Sequence, residues 1–122
     1  MPRQTNDYLL RQTRALAAML ARIAGFRVAG EVEEARDELE QAYGLLLGPQ
    51  TDLVRRLDPS TAAAIMGSPD RMLLMARLLE EERLQGGDEA LHARAVALVQ
   101  EALRREADNE DAKALLVELT TR

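Results

Sequence analysis

The sequence predicts an all-α domain of about five main helices plus one or two short ones, arranged as antiparallel helical hairpins. Three observations carry that prediction. Leu and Ala supply 41 of the 122 residues, whereas Val, Ile and Thr together supply 14, a balance that favours helix over sheet. Apolar residues recur at three- and four-residue spacing along most of the chain, the period of an amphipathic helix. The stretches between them hold Gly, Pro and short polar side chains that stop one helix and cap the next. At this length residues 1–122 form a single domain, with a looser segment at 48–68.

The first helix is expected from about Asp7 to Phe26, capped by Thr5 or Asn6. Leu9, Thr13, Leu16, Leu20 and Ile23 fall on one line along it. Leu10, Ala17 and Ala24 flank that line on one side, and Tyr8, Met19 and Phe26 on the other. The apolar arc is therefore about 200° wide, roughly twice what a surface helix needs. Arg11, Arg14 and Arg22 share the opposite face. Gly30 breaks the chain, and a second helix follows from about Glu31 to Leu46. Its narrow stripe is Val32, Ala35, Leu39, Ala42, Tyr43 and Leu46; Glu33, Glu34, Asp37, Glu38 and Glu40 make an acidic outside. Gly48-Pro49 ends it.

Residues 52–57 suit one short helix. Asp58-Pro59 reads as an N-cap followed by proline at the first helical position, opening a second short helix that Gly67 closes. Ser68-Pro69-Asp70 repeats the same logic and opens a long helix to about Leu84. Met72, Leu73, Leu74, Met75, Ala76, Leu78 and Leu79 make it apolar nearly all round, so it is expected to be the most buried helix or to hold a partner on its second face. The run Glu80-Glu81-Glu82 at its end reads as a solvated face. After Gly86-Gly87, Asp88 caps a helix from about Glu89 to Glu106 with Leu91, Ala95, Leu98, Val99 and Ala102 as its stripe. Asp108 or Asn109 caps the last helix, where Ala112, Leu115, Leu116 and Leu119 align.

Gly30, Ala35, Leu39 and Ala42 carry a rhythm of glycine, small, large and small residues. It resembles the turn and second helix of a tetratricopeptide repeat, in which Gly allows a tight turn and Ala lets two helices approach closely. Phe26 falls near the repeat's first-helix Tyr, and Ala95, Val99 and Ala102 repeat part of the pattern. The repeat's Trp has no counterpart, and Ala107 stands at its Pro position. The resemblance implies tetratricopeptide-like packing of hairpins. The opening Asp7-Tyr8-Leu9-Leu10-Arg11, the Glu-rich second helix and the C-terminal hairpin also resemble a small uncharacterised bacterial all-helical family, a domain of unknown function. That likeness implies no activity. Fifteen Arg against one Lys fits a GC-rich bacterial genome.

Composition narrows the chemistry. The chain has no Cys and no Trp, one His and two Tyr, so thiolate zinc sites, disulfides and Cys nucleophiles are excluded. Ser60 and Ser68 each adjoin a Pro at a helix start, which capping explains. The phosphate-binding and dinucleotide-binding glycine motifs are absent, and neither a catalytic residue nor a cofactor is expected. Glu89-Ala90-Leu91-His92 is a Glu-x-x-His, the spacing that places ligands on one face of a di-iron helical bundle. Such sites need two of these motifs, so a metal site on Glu89 and His92 would have to form across a homodimer axis.

Charge is distributed unevenly. Residues 1–30 hold five Arg and one Asp, whereas residues 31–122 hold eleven basic and twenty acidic residues, within a net charge of −5. That balance repels phosphate, and with 2% aromatic residues few rings are available for stacking on bases, so nucleic acid is not an expected partner. Arg11, Arg14 and Arg22 interrupt the first apolar stretch, which argues against a membrane span or a secretory signal; the cytoplasm is the expected location. The function expected is a non-enzymatic protein-interaction or scaffold domain with a protein partner. A homodimer is expected, with its contact near the first helix on Leu10, Ala17, Met19 and Phe26, or on Leu74 and Leu78. A metal-binding bundle using Glu89 and His92 is the alternative.

Overall fold

The computed structural model describes residues 2–121, with the side chains of residues 7–121. Its elements are α1 (Pro2–Val28), α2 (Val32–Leu47), a 3-10 turn (Gly48–Gln50), α3 (Thr51–Arg56), α4 (Pro59–Met66), α5 (Pro69–Leu84), α6 (Ala90–Arg105) and α7 (Glu110–Thr120). No strand occurs among the described residues, and the all-α reading holds. The short α4 and the long α5 start where the two proline signals place them, and α3 falls within a residue of the expected 52–57.

The caps act through single hydrogen bonds. Asp58 accepts from the Thr61 backbone N–H at 3.1 Å, Ser68 from Arg71 at 3.3 Å and Asn109 from Ala112 at 2.9 Å. Each satisfies one of the donors that a helix start leaves unpaired. Asp88 accepts from Ala90 at 2.9 Å, so α6 opens one residue later than its spacing suggests. The larger correction is at α1. It begins at Pro2, so Thr5 and Asn6 lie within the helix rather than ahead of it; their side chains are outside the described ones. Proline is tolerated in a first turn, where its missing N–H has no intrahelical partner to lose.

Two hairpins organise the chain. Helices α1 and α2 run antiparallel: Arg22 pairs with Glu38 at 2.7 Å, and the Gln12 amide donates to the Leu45 carbonyl at 3.0 Å. Helices α5 and α6 do the same, with Arg83 beside Glu89 at 3.2 Å and Glu80 beside His92 at 3.3 Å. Helix α5 is the centre and packs on α1, α2, α4, α6 and α7. Met72, Met75, Ala76, Leu78 and Leu79 are consequently buried all round it, as a helix without a polar face requires. Ala35, Leu39 and Ala42 on α2, and Ala95, Val99 and Ala102 on α6, are buried as well.

Two partly buried arginines tie the short middle helices to this frame. Arg71 on α5 donates to the carbonyls of Leu46 and Met66, and Arg94 on α6 donates to the carbonyl of Leu57. The last carbonyls of α2, α3 and α4 would otherwise lack partners. Helix α1 outruns its hairpin partner. The end of α2 lies beside Gln12, so about ten residues of α1, roughly 15 Å of helix, project beyond it.

Candidate functional site

The three glutamates at the end of α5 correct the expectation of a solvated face. Each binds a different part of the fold. Glu80, 7% exposed, accepts from Arg83 at 2.8 and 3.0 Å and lies 3.3 Å from His92 Nδ1. Glu81 takes both Arg27 donors, at 2.8 and 3.3 Å, and anchors α1. Glu82 accepts from the Tyr43 hydroxyl and from Arg55, each at 2.7 Å, which joins α2 and α3 to α5. Arg55 also stacks 4.1 Å above the Tyr43 ring, a cation–π contact. Three consecutive helical residues point about 100° apart, so each glutamate reaches a different neighbour.

Electrostatics follow from these contacts. Burial, reinforced by the Glu82 carboxylate, pushes the Tyr43 phenol well above its ordinary range. The hydrogen bond to Glu81 raises Arg27, and that to Glu80 raises Arg83. The Thr61 hydroxyl and backbone hold Asp58 below the usual carboxylate range.

Glu89 and His92 enter the same network from α6. Glu89 is exposed and pairs with Arg83, while His92 is half-buried against Glu80. Among the described residues no three His, Cys, Asp or Glu side chains form a group able to hold a metal.

A second feature runs along α1 and meets this network at Arg27, Glu80 and Glu81. Three hollows run in line and share lining residues. The first, about 250 Å3, is bounded by Leu9, Leu10, Thr13, Ser68, Asp70 and Arg71. The second, about 300 Å3, shares Thr13 and Asp70 with it and adds Leu73, Leu74, Arg77 and Asp111. The third, about 420 Å3, shares Arg77 and continues over Leu20, Ala21, Ala24, Arg27, Glu80, Glu81, Leu84, Leu115, Glu118 and Leu119. Together they form a furrow with α5 as its floor and α1 and α7 as its lips. Among the described residues no Cα of α1 comes within 8 Å of one in α7. From Leu9 to Arg27 the furrow follows five turns of α1, about 27 Å.

The expected contact residues separate cleanly. Met19 is 8% exposed and Leu78 is buried in the chain's own core, so neither is open to a second chain, while Leu74, 7% exposed, shows only an edge at the floor of the second hollow. Packing of α2 and α5 onto α1 consumes that flank, and Phe26 is half-buried there. Leu10, 48% exposed, and Ala17 remain open, on the furrow side of α1. Arg22 is used within the chain, on Glu38. Arg11 and Arg14 are exposed. The seven-residue spacing of Leu10, Ala17 and Ala24 was the signal in the sequence for this face. The acidic lip of α7 had no such signal, because its position depends on how α7 folds back over α5.

The chain matches no protein-family model, no curated protein and no solved structure. Among the described residues no helix is long and apolar enough to cross a membrane.

Proposed function

We propose that this protein is a non-enzymatic protein-interaction domain that self-associates and takes a helix into the furrow between α1 and α7. The furrow carries the reading. It is several turns long, has an apolar floor of Leu73, Leu74 and Leu84, and is bordered by charged side chains. An amphipathic helix laid in such a groove buries its apolar stripe while its polar edges stay wet. The glutamates at the end of α5 support the same reading, since Glu80 binds Arg83, Glu81 binds Arg27, and Glu82 binds Tyr43 and Arg55, contacts that hold helices together.

Light scattering coupled to size exclusion tests self-association. At tens of micromolar the expected mass is twice the 13.5 kDa of one chain. Amide exchange at several concentrations tests the surface: protection that grows with concentration should appear along α1 and α7. A mass of one chain throughout would end the self-association, and concentration-dependent protection confined to α3 and α4 would move the contact elsewhere.

A further inference from the structure

We propose that the helix occupying the furrow is α1 of a second copy, lying antiparallel and exchanged reciprocally about a two-fold axis at Ala17. The inference rests on the self-association proposed above and names the surface and register it uses. Leu10, Ala17 and Ala24 repeat every seven residues, two helical turns, on the furrow side of α1. A two-fold axis at Ala17 sets Ala17 against its own copy and sets Leu10 of each chain against Ala24 of the other. The large side chain then meets the largest of the three hollows, the one of about 420 Å3 whose α1 lip is formed in part by Ala21 and Ala24. The small side chains of Ala17 and Ala24 let the two helices approach closely.

Charge complementarity selects a second copy as the occupant. The exposed edge of α1 carries Arg11 and Arg14. The α7 lip carries Asp111 and Glu118, both exposed, with Glu118 also 3.5 Å from Arg77 of its own chain, and Asp70 stands at the start of α5 on the furrow. About an axis at Ala17, Arg11 and Arg14 of each copy lie level with positions 23 and 20 of the other copy's α1, where Glu118 lines the α7 lip. Asp111 lies further along, level with Thr13. The projection of α1 past the end of α2 points the same way: Leu9 and Leu10 have no α2 to cover them, and reciprocal exchange covers them. Each copy offers the same surface and receives the same surface, so the contact closes as a dimer.

Two charge-reversed proteins test this directly. One carries Arg11→Glu and Arg14→Glu, and the other Asp111→Arg and Glu118→Arg. All four positions are exposed, so both proteins should fold, which helical circular dichroism and melting check. Each homodimer then sets like charges together, and its dissociation constant should rise about tenfold or more. Mixed in equal amounts they should form a heterodimer, because both reciprocal contacts again pair opposite charges. Ala17→Glu, which places two carboxylates at the axis, should dissociate the dimer in the same way. If the wild-type chain is dimeric but these proteins stay dimeric alone, or the two charge-reversed proteins fail to pair, self-association stands and the furrow exchange is wrong. A wild-type chain that stays monomeric up to about 100 μM, a bound set by the weak end of specific association, removes both.

Discussion

Leu39 is the residue whose loss should be felt most on α2. It is 3% exposed and faces the core between Ala35 and Ala42. Leu39→Asp buries a carboxylate with no designed partner, at a cost of several kcal/mol against a total stability of roughly 5–15 kcal/mol. Thermal melting should show the domain largely unfolded at ambient temperature. Tyr43 gives a prediction in pH. Its phenol is held neutral in the folded state by burial and by Glu82, so its folded value lies above its unfolded one. That contribution is fully present below about pH 10, the unfolded value, and is lost as pH rises beyond it. In a Tyr8→Phe background, tyrosinate absorbance should appear only together with loss of helical circular dichroism. Phenolate formation while the helices remain intact would contradict the contact with Glu82. Gly87 shows how narrow a residue's tolerance becomes at a helix junction: an added methyl would lie 2.8 Å from the Glu82 carbonyl oxygen and 2.7 Å from Leu91.

Among the elements, the short helices differ from the long ones in how they are held. Helix α3 buries only Val54 and leaves Leu53 exposed, whereas α5 buries eight residues. Local opening costs least where few buried contacts are broken. Amide exchange across residues 48–68 is therefore expected to be faster than in α2 or α5, and fastest in α3. Within that segment the amides of α4, tied through Met66 to Arg71, should exchange more slowly than those of α3. Uniform protection from α2 through α5 would show that the arginine ties to Leu57 and Met66 make the middle one cooperative unit with the long helices.

For the whole molecule, the separation of charge matters more than its sum. A basic α1 edge stands apart from an acidic α2 surface and an acidic α7 lip. Exposed pairs of this kind contribute about 0–1 kcal/mol each and act mainly on the rate of encounter. Raising ionic strength from about 0.05 M to about 0.5 M should slow dimer formation clearly while raising the dissociation constant only a few-fold. Kinetics by concentration-jump light scattering would separate the two effects. A dissociation constant that changes a hundredfold would mean that charge, rather than the apolar stripe of Leu10 and Ala17, holds the copies together.

The sequence by itself determined the helical class, the order of the elements and the starts of α4, α5 and α7, because periodicity and capping are local properties; the start of α1 at Pro2 was not among them. Asp58, Ser68 and Asn109 cap the helices they precede, and the apolar girdle of α5 already required burial on every side. It could also show that Leu10, Ala17 and Ala24 share a flank. Tertiary structure alone decided which flank of α1 stays open, since Met19 and Leu10 look equally apolar until α2 and α5 cover one of them. The same holds for Glu80, Glu81 and Glu82. A run of acids reads as solvated until folding brings Arg27, Tyr43, Arg55 and His92 from four other helices to meet them. Contacts between residues 12 to 54 positions apart leave no periodic trace in the chain, and only the packing of helices against one another brings them together.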